Sequence, residues 1–502
     1  MSAVQVRFAG PGVDGNLAAL VADAWMNTHP WDYWLAPSKL RPEAEQAMES
    51  LRAALEHHPR HAFCIHLFIH LTEASGDTSL LAEARPFAEL LPQLVPGAPH
   101  LVHMGFHTLM HTGDYHEGDL DNEQASLQPR QIYPMHNLDT LSWACRIQGR
   151  SQCSLDAADR LERLALPLVG SGIFETGFPP SRFAAQRPLT LVAFGMHEAI
   201  LAARSPLPCA ADAFLCGIWH FARGAAHAGS GHLDAALREL RLLQQQHSAV
   251  AATSRPAGRP WQNFNGSSKW GVFPAEQILE LAVWELRARF ARAEHEQFDA
   301  WQKGAQKLSQ TEELEAWEAA LTTEAALSYD EPPPWFLPVG VRLGDSLLRA
   351  GKYREAAKVF NTSLQNLPHN GWALFGQLQL CQLLKSSRLN AVGCQDQQLL
   401  FTAAWRRADV RLASAADIAG PTKLTQTEIN AIVGSQKLGF PGLWLLVALT
   451  VLGFMAAATW MAASASACTA CIACAGYKQL ADGGDARCLR KSAGAGEQGE
   501  AA

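Results

Sequence analysis

The sequence has no phosphate-binding loop, no Rossmann glycine pattern and no Gly-x-Ser-x-Gly elbow. These absences remove the nucleotide-dependent classes and α/β-hydrolase chemistry, and no nucleotide cofactor is expected. It has no basic excess: 41 Lys and Arg stand against 48 Asp and Glu, for a net charge of −7. Without a basic stripe, a dedicated nucleic-acid binder is excluded and no nucleic-acid partner is expected. Charged residues make up only 18% of the 502 positions and hydrophobic ones 48%, the balance of a folded chain rather than a disordered one. Residues 1–20 lack the basic region and apolar core of a secretory leader, so the bulk of the chain is expected on the synthesis side of any membrane. No run alternates like a strand between hairpin turns. Cys64, Cys145, Cys153, Cys209, Cys216, Cys381 and Cys394 show no paired spacing and sit in apolar company, which predicts reduced, buried thiols.

What is present reads as helix. Residues 51–55 and 276–286 carry apolar side chains at helical spacing. Breaks fall at Pro96-Gly97, Gly113, Gly170 to Pro180, Gly229 to Gly231, Thr253 to Pro274 and Pro332 to Pro334. Helix pairs joined by short turns predict an all-α fold, an α-solenoid of antiparallel pairs. One stretch follows the 34-residue tetratricopeptide pattern closely: Leu343-Gly344, then Gly351, Tyr353, Ala356, Phe360 and Pro368. Small residues at Gly344 and Ala356 let two helices approach, Tyr353 and Phe360 fill the space between repeats, and Pro368 stops the second helix. A second copy reads as Gly113, Tyr115, Gly118 and Pro129, and a third as Gly231, Leu233, Ala236 and Leu240.

Several segments resemble bacterial-type members of the tetratricopeptide repeat family with a histidine-rich middle. They are residues 30–34 (Pro-Trp-Asp-Tyr-Trp), 66–75, 95–104, 219–224, 329–335 and 370–376, and together they span roughly residues 16–385. The resemblance implies a tetratricopeptide-like helical fold and leaves function open.

The chain has 19 histidines, of which 11 fall between His57 and His136. His66, His70 and Glu73 are spaced i, i+4 and i+7, inside an arc of about 60° on one helix. His100, His103 and His107 form a second stripe of about 60°, continued by His111, with Pro99 suited to the first turn. His136 opens a third segment beside Tyr133 and Asn137. Neighbouring helices pack about 8–10 Å apart, so imidazoles of two inward-facing stripes can meet midway. The expected ligand set is His66, His70, Glu73, His100, His103, His107 and His136. It exceeds one tetrahedral ion, so some members orient others or two metals bind. All-N/O ligation suits a divalent transition metal, Zn, Cu, Fe, Mn or Ni, without choosing among them. If the site catalyses, a metal-activated water or dioxygen is the agent, with Glu73 or Tyr133 handling protons. The same residues also fit ordinary repeat packing, with each histidine bonded to a carbonyl. His220, Arg223, Tyr329, Glu331 and Trp335 are further groove candidates, with Arg223 able to hold an anion or a peptide carboxylate; ordinary packing is the competing reading for these too.

Residues 438–477 carry no charge, and 443–463 are long enough to span a bilayer core of about 20 residues, with Trp444 and Trp460 near the ends. The organisation expected is therefore a repeat domain over 1–430 with its His-rich site at 57–137, a transmembrane helix over 441–463, and a Cys-containing, disordered tail over 464–502. The chain would be a single-pass, C-terminally anchored membrane protein with a cytosolic repeat domain. Cys468, Cys471, Cys474 and Cys488 suit acylation, a metal or cluster site, or lumenal disulfides. Two functions follow: a membrane-anchored repeat protein with a metal-binding groove, its catalysis left open, or a non-catalytic scaffold for protein–protein interaction with a protein or peptide in that groove.

Overall fold

The computed structural model describes residues 14–29, 31–36, 38–127, 133–175, 178–206, 208–253, 274–297, 303–327, 329–386 and 394–419. The chain divides into two units, Met1–Gln436 and Lys437–Ala502, and all described residues belong to the first.

That unit is predominantly helical. It opens with α1 (Gly15–Met26), an antiparallel hairpin of β1 (Trp34–Ala36) and β2 (Lys39–Leu40), α2 (Pro42–His57), α3 (Ala62–Glu73) and α4 (Thr78–Leu94). The short helices α5 (Pro99–His103) and α6 (Gly105–Thr112) follow, then α7 (Tyr115–Ser126), α8 (Pro134–Ile147) and α9 (Ser151–Ala165). Next come α10 (Pro180–Ala184), α11 (Gln186–Ala193), α12 (His197–Ala202), α13 (Ala213–Gly229), α14 (Leu233–Thr253), α15 (Ala275–Gln297) and α16 (Lys303–Ala325). The described part ends with α17 (Val339–Arg349), α18 (Tyr353–Asn366), α19 (Gly371–Ser386) and α20 (Gln395–Ala404). The hairpin is the one paired sheet among the described residues, and no alternating run announces it.

The turns repeat one device. Gly113, Gly149, Gly195, Gly231 and Gly351 all have positive φ, open to glycine without steric cost. After each, the next backbone N–H reaches five residues back: Asp114 to Leu109, Arg150 to Cys145, Met196 to Leu191, His232 to His227 and Lys352 to Leu347. This satisfies carbonyls that a helix end leaves open and starts the following helix at once. Consecutive helices then pack on one another, as in the pairs α13–α14, α15–α16 and α17–α18.

Two apolar cores result. The smaller gathers Leu51, Ile65, Phe68, Leu71 and Leu91 from α2, α3 and α4. The larger runs from Phe106 and Trp143 through Phe221 and Trp335 to Phe360 and Trp372. Between α17 and α18, Gly344 lies against the Phe360 ring and Ala356 is fully buried. Distant parts of the chain also meet: Tyr115 donates its hydroxyl proton to the Pro368 carbonyl at 2.7 Å, and Asp409 accepts from the Ser151 and Gln152 N–H groups at 2.6 and 3.0 Å. A solenoid whose units touch only their neighbours does not predict such contacts.

Two expectations are corrected. No helix among the described residues is long and apolar enough to cross a membrane. The two longest, α15 and α16, carry Glu, Lys or Arg along their length. This overturns the single-pass anchor and, with it, the cytosolic placement inferred from it. Residues 441–463 and the tail 464–502, on which that expectation rested, lie outside the described residues, as does Pro129 of the second repeat copy. The cysteines are not all reduced thiols. Cys145–Cys153, Cys209–Cys216 and Cys381–Cys394 are disulfides, and Cys64 alone of the seven is free and buried. Apolar neighbours report burial, whereas pairing depends on proximity: Cys145 ends one helix and Cys153 begins the next, with Cα atoms 5.9 Å apart.

Gly344 tests the packing of α17 on α18. A Cβ there would run into the Phe360 ring, whereas at Gly340 the nearest atom, Val359 Cγ1, is 3.4 Å away. Gly344→Ala should lower unfolding stability by about 1–3 kcal/mol through overpacking, and Gly340→Ala by much less. Urea unfolding of the two variants checks this; equal midpoints would show that the helix approach is not limited at Gly344.

Candidate metal centre

The site begins with α3. Its first turn is capped by His61, whose Nδ1 accepts from the Cys64 N–H at 3.2 Å. Its last turn is held by the hairpin, where Trp34 donates its indole N–H to the Leu71 carbonyl at 2.9 Å. Cys64, Ile65 and Phe68 bury one side, and the i, i+4, i+7 stripe of His66, His70 and Glu73 faces α5 and α6. Pro99 starts α5 as the sequence predicts, but the helix breaks at Met104 instead of running on to His111. Met104 keeps right-handed helical angles, φ −57° and ψ −26°, so the stripe survives the break and His103 and His107 still face one way.

Three imidazole nitrogens converge. His103 Nε2 lies 2.8 Å from His107 Nε2 and 2.9 Å from His136 Nε2. All three side chains are buried. Beside them, ligand atoms of His66, His70 and His100 lie within 4.8 Å of one another, with His66 Nε2 3.3 Å from His100 Nε2. The seven expected ligands therefore come together, in two adjacent triads of histidine with Glu73 between them.

The opposite ring nitrogens explain the orientation. Glu73 reaches His70 Nδ1 with Oε1 at 3.0 Å and His107 Nδ1 with Oε2 at 2.6 Å. A carboxylate only accepts, so both Nδ1 atoms carry protons and Nε2 is left to face the cluster. His103 Nδ1 lies 2.6 Å from Asn122 Oδ1, which makes the same assignment for that ring. Asn122 is anchored in turn by Thr140, which donates to Oδ1 at 3.1 Å. Glu73 thus orients two imidazoles rather than standing beside them as an equal ligand, the arrangement in which a carboxylate fixes ring tautomer and raises ligand basicity. A second grouping, His70, Glu73, His107 and Glu331, also has ligand atoms within 4.8 Å, but it uses the Nδ1 atoms already held by these carboxylates.

Of the groove candidates, two join the centre. Glu331 Oε1 lies 2.9 Å from His107 Nδ1. Tyr329 donates to Glu331 Oε2 at 2.8 Å and stands 3.0 Å from His111 Nε2. Trp335 instead sits in the apolar core, donating its indole N–H to Glu285 at 2.9 Å. His220 and Arg223 share a different partner, Glu239. Tyr133 packs its ring edge-on to His100, centroids 5.1 Å apart, which keeps it next to the triads. Sequence reasoning missed Asn122, Arg182 and Asp330. Arg182, buried behind His136, pairs with Asp330 at 2.6 Å and approaches Asp139 at 3.5 Å; its partners lie far away in sequence, and no local spacing announced them.

Burial sets the charges. It holds His66, His103 and His136 well below the ordinary histidine range, with neighbouring imidazoles adding to the effect. His70 and His100 are lowered to about 3 for the same reasons. His107 is the exception: burial opposes its charge, but Glu331 and Glu73 outweigh it and push the group up to about 10. Five of the six rings are therefore neutral at physiological pH, the form in which imidazole ligates metal.

A cavity of about 670 Å³ adjoins the centre. Met110, Trp143, Leu321, Leu327 and Pro334 give it apolar walls, and His111 and Tyr329 form its border with the histidines. Its volume is that of a pocket for a small organic molecule. Comparison of the chain with protein-family models and with curated proteins finds no match to either.

Proposed function

We propose that the chain is a tetratricopeptide-like helical repeat protein, folded back on itself into a closed form, that binds one or two first-row transition-metal ions at its His/Glu centre. The observation that carries this reading is the meeting of three Nε2 atoms. His103 donates through Nδ1 to Asn122, so its Nε2 offers one lone pair. His107, protonated on both nitrogens, can donate to that lone pair, and His136 Nε2 then has no place in it. Ordinary packing would give each buried ring a carbonyl or hydroxyl. A cation would displace the proton from His107 Nε2 and then take a lone pair from each of the three nitrogens.

The ligand set supports a particular kind of metal. Imidazole without thiolate suits Zn, Cu, Fe or Ni and disfavours Mg and Ca. Three protein nitrogens per ion leave a position for water or substrate, as in open zinc sites. The apolar cavity beyond Tyr329 and His111 supports a small, largely apolar organic molecule as the ligand or substrate. Its walls offer little to a peptide backbone.

Metal content of the full-length protein tests the centre. The parent should retain at least one transition-metal equivalent per chain by elemental analysis, and His103→Ala should lose it. Metal at about a hundredfold excess over its dissociation constant should stabilise the parent by about 2.7 kcal/mol and leave His103→Ala unchanged, because only the folded form binds. A parent that purifies metal-free, takes up none of Zn, Cu, Fe and Mn and melts identically in chelator would leave only the scaffold reading.

The orienting role of Glu73 is separable from ligation. Glu73→Gln should weaken metal binding about 10–100-fold without abolishing it, as expected for a group that acts through the ligands. In competition titrations against a chelator, an unchanged affinity would show that Glu73 orients nothing, and complete loss would make it a ligand. For the cavity, Leu321→Trp should abolish binding of an uncharged apolar fluorophore while metal content stays at one or two equivalents; retained fluorophore binding would place the apolar ligand elsewhere.

A further inference from the structure

A second cluster of ligating side chains lies on α13, apart from the histidine triads in its partners and chemistry. Cys216 and His220 stand four residues apart, one turn of helix, and so share a face. Cys209 reaches them from the preceding loop, which Asp212 ties to the helix by accepting from the Leu215 N–H at 2.8 Å. Ligand atoms of the three residues lie within 4.8 Å of one another. The histidine is prepared for ligation. Its Nδ1 lies 2.7 Å from Glu239 Oε2, so the carboxylate fixes the proton there and turns Nε2 toward Cys209 Sγ, 3.8 Å away. Arg223 donates to the other Glu239 oxygen at 2.8 Å and locks the carboxylate in place. This is the carboxylate–histidine pairing that supports metal ligation. A tetrahedral zinc with Zn–S of about 2.3 Å and Zn–N of about 2.0 Å sets an S···N edge of about 3.5 Å, close to the separation already present.

In the structure the two sulfurs are joined as a disulfide. We propose that Cys209, Cys216 and His220 form a redox-gated site for a thiophilic divalent cation such as Zn(II), closed while the disulfide stands and opened by a dithiol reductant. In the opening step a dithiol supplies two electrons and two protons. The S–S bond breaks, two thiols form, and the reductant becomes the new disulfide. The cation then displaces both thiol protons and is held by two thiolates and the His220 Nε2 lone pair, with a fourth position for water. Cys216 is buried while Cys209 and His220 are half-exposed, so both reductant and cation reach the site from the Cys209 side.

Cobalt(II) reports this site separately from the histidine centre, because only sulfur ligation gives a thiolate-to-cobalt charge-transfer band in the near ultraviolet. The full-length protein is treated with a dithiol, freed of reductant without air, and titrated with Co(II). The expected band appears only after reduction, is lost in Cys209→Ser and in His220→Ala, and in Glu239→Gln requires about 10–100-fold more cobalt. Cys209→Ser changes one atom on a half-exposed loop, and an unchanged circular dichroism melt under reducing conditions confirms that it folds. Absence of the band in the reduced parent would overturn the proposal. So would a band that persists undiminished in Cys209→Ser, since the sulfur would then come from another of the reduced cysteines. Failure of the His/Glu centre to bind metal leaves this result untouched, and the converse also holds.

Discussion

Glu73 is the side chain on which the candidate centre depends. Its carboxylate is buried at the end of α3, and each oxygen meets a different imidazole. An isolated buried carboxylate would cost several kcal/mol in lost hydration. Here that cost is met by proton donors placed on two other turns of helix, so the position of α3 against α6 is fixed by the need to satisfy one charge. The hairpin clamp of Trp34 on Leu71 serves the same end, because it holds the last turn of α3 where Glu73 must stand. Glu331 adds a second carboxylate to His107 from a loop more than 220 residues further along the chain, while the Glu73–His107 pair joins α3 of the smaller core to α6, whose Phe106 and Met110 belong to the larger one.

How much of this was legible depended on range. The stripes at His66, His70, Glu73 and at His100, His103, His107 were legible because helical spacing alone decides which residues share a face. Their facing was less so, because α4 lies between α3 and α5 and the stripes meet only where α6 packs back on α3; the break at Met104 did not disturb them because the backbone there stays helical. The packing of α17 on α18 was legible for a similar reason: Gly344 and Phe360 are near in sequence and meet across one turn. Glu331 and Tyr329 could be named as candidates, but their place beside His107 and His111 could not, since no periodicity links a proline-rich loop to a helix two hundred residues before it. The buried pair of Arg182 with Asp330 was invisible for that reason.

The cysteines depart from expectation because composition reports a residue's surroundings and not its bonding. Apolar surroundings of Cys145 and Cys216 indicate that the sulfur is buried, yet whether it is bonded depends on where the neighbouring segment places a second cysteine. The uncharged run over residues 441–463 has the length of a membrane span but lies outside the described residues, and no helix among the described residues is long and apolar enough to cross a membrane.

The two proposed sites obey one rule with different donors. In each, a carboxylate behind an imidazole fixes the proton on Nδ1 and frees Nε2: Glu73 for His70 and His107, Glu239 for His220. At the histidine centre the remaining donors are nitrogens that burial keeps neutral, so the site is ready for metal without chemical change in five of its six rings. At α13 the remaining donors are sulfurs locked in a covalent bond, so readiness depends on electrons. A fold of closely joined helices makes both arrangements accessible, because short turns deliver each helix at close range to the next and bring residues one turn apart onto a shared seam. What distinguishes a site from packing along such a seam is the direction in which the nitrogen lone pairs point, and that direction is set by the oxygen behind the ring.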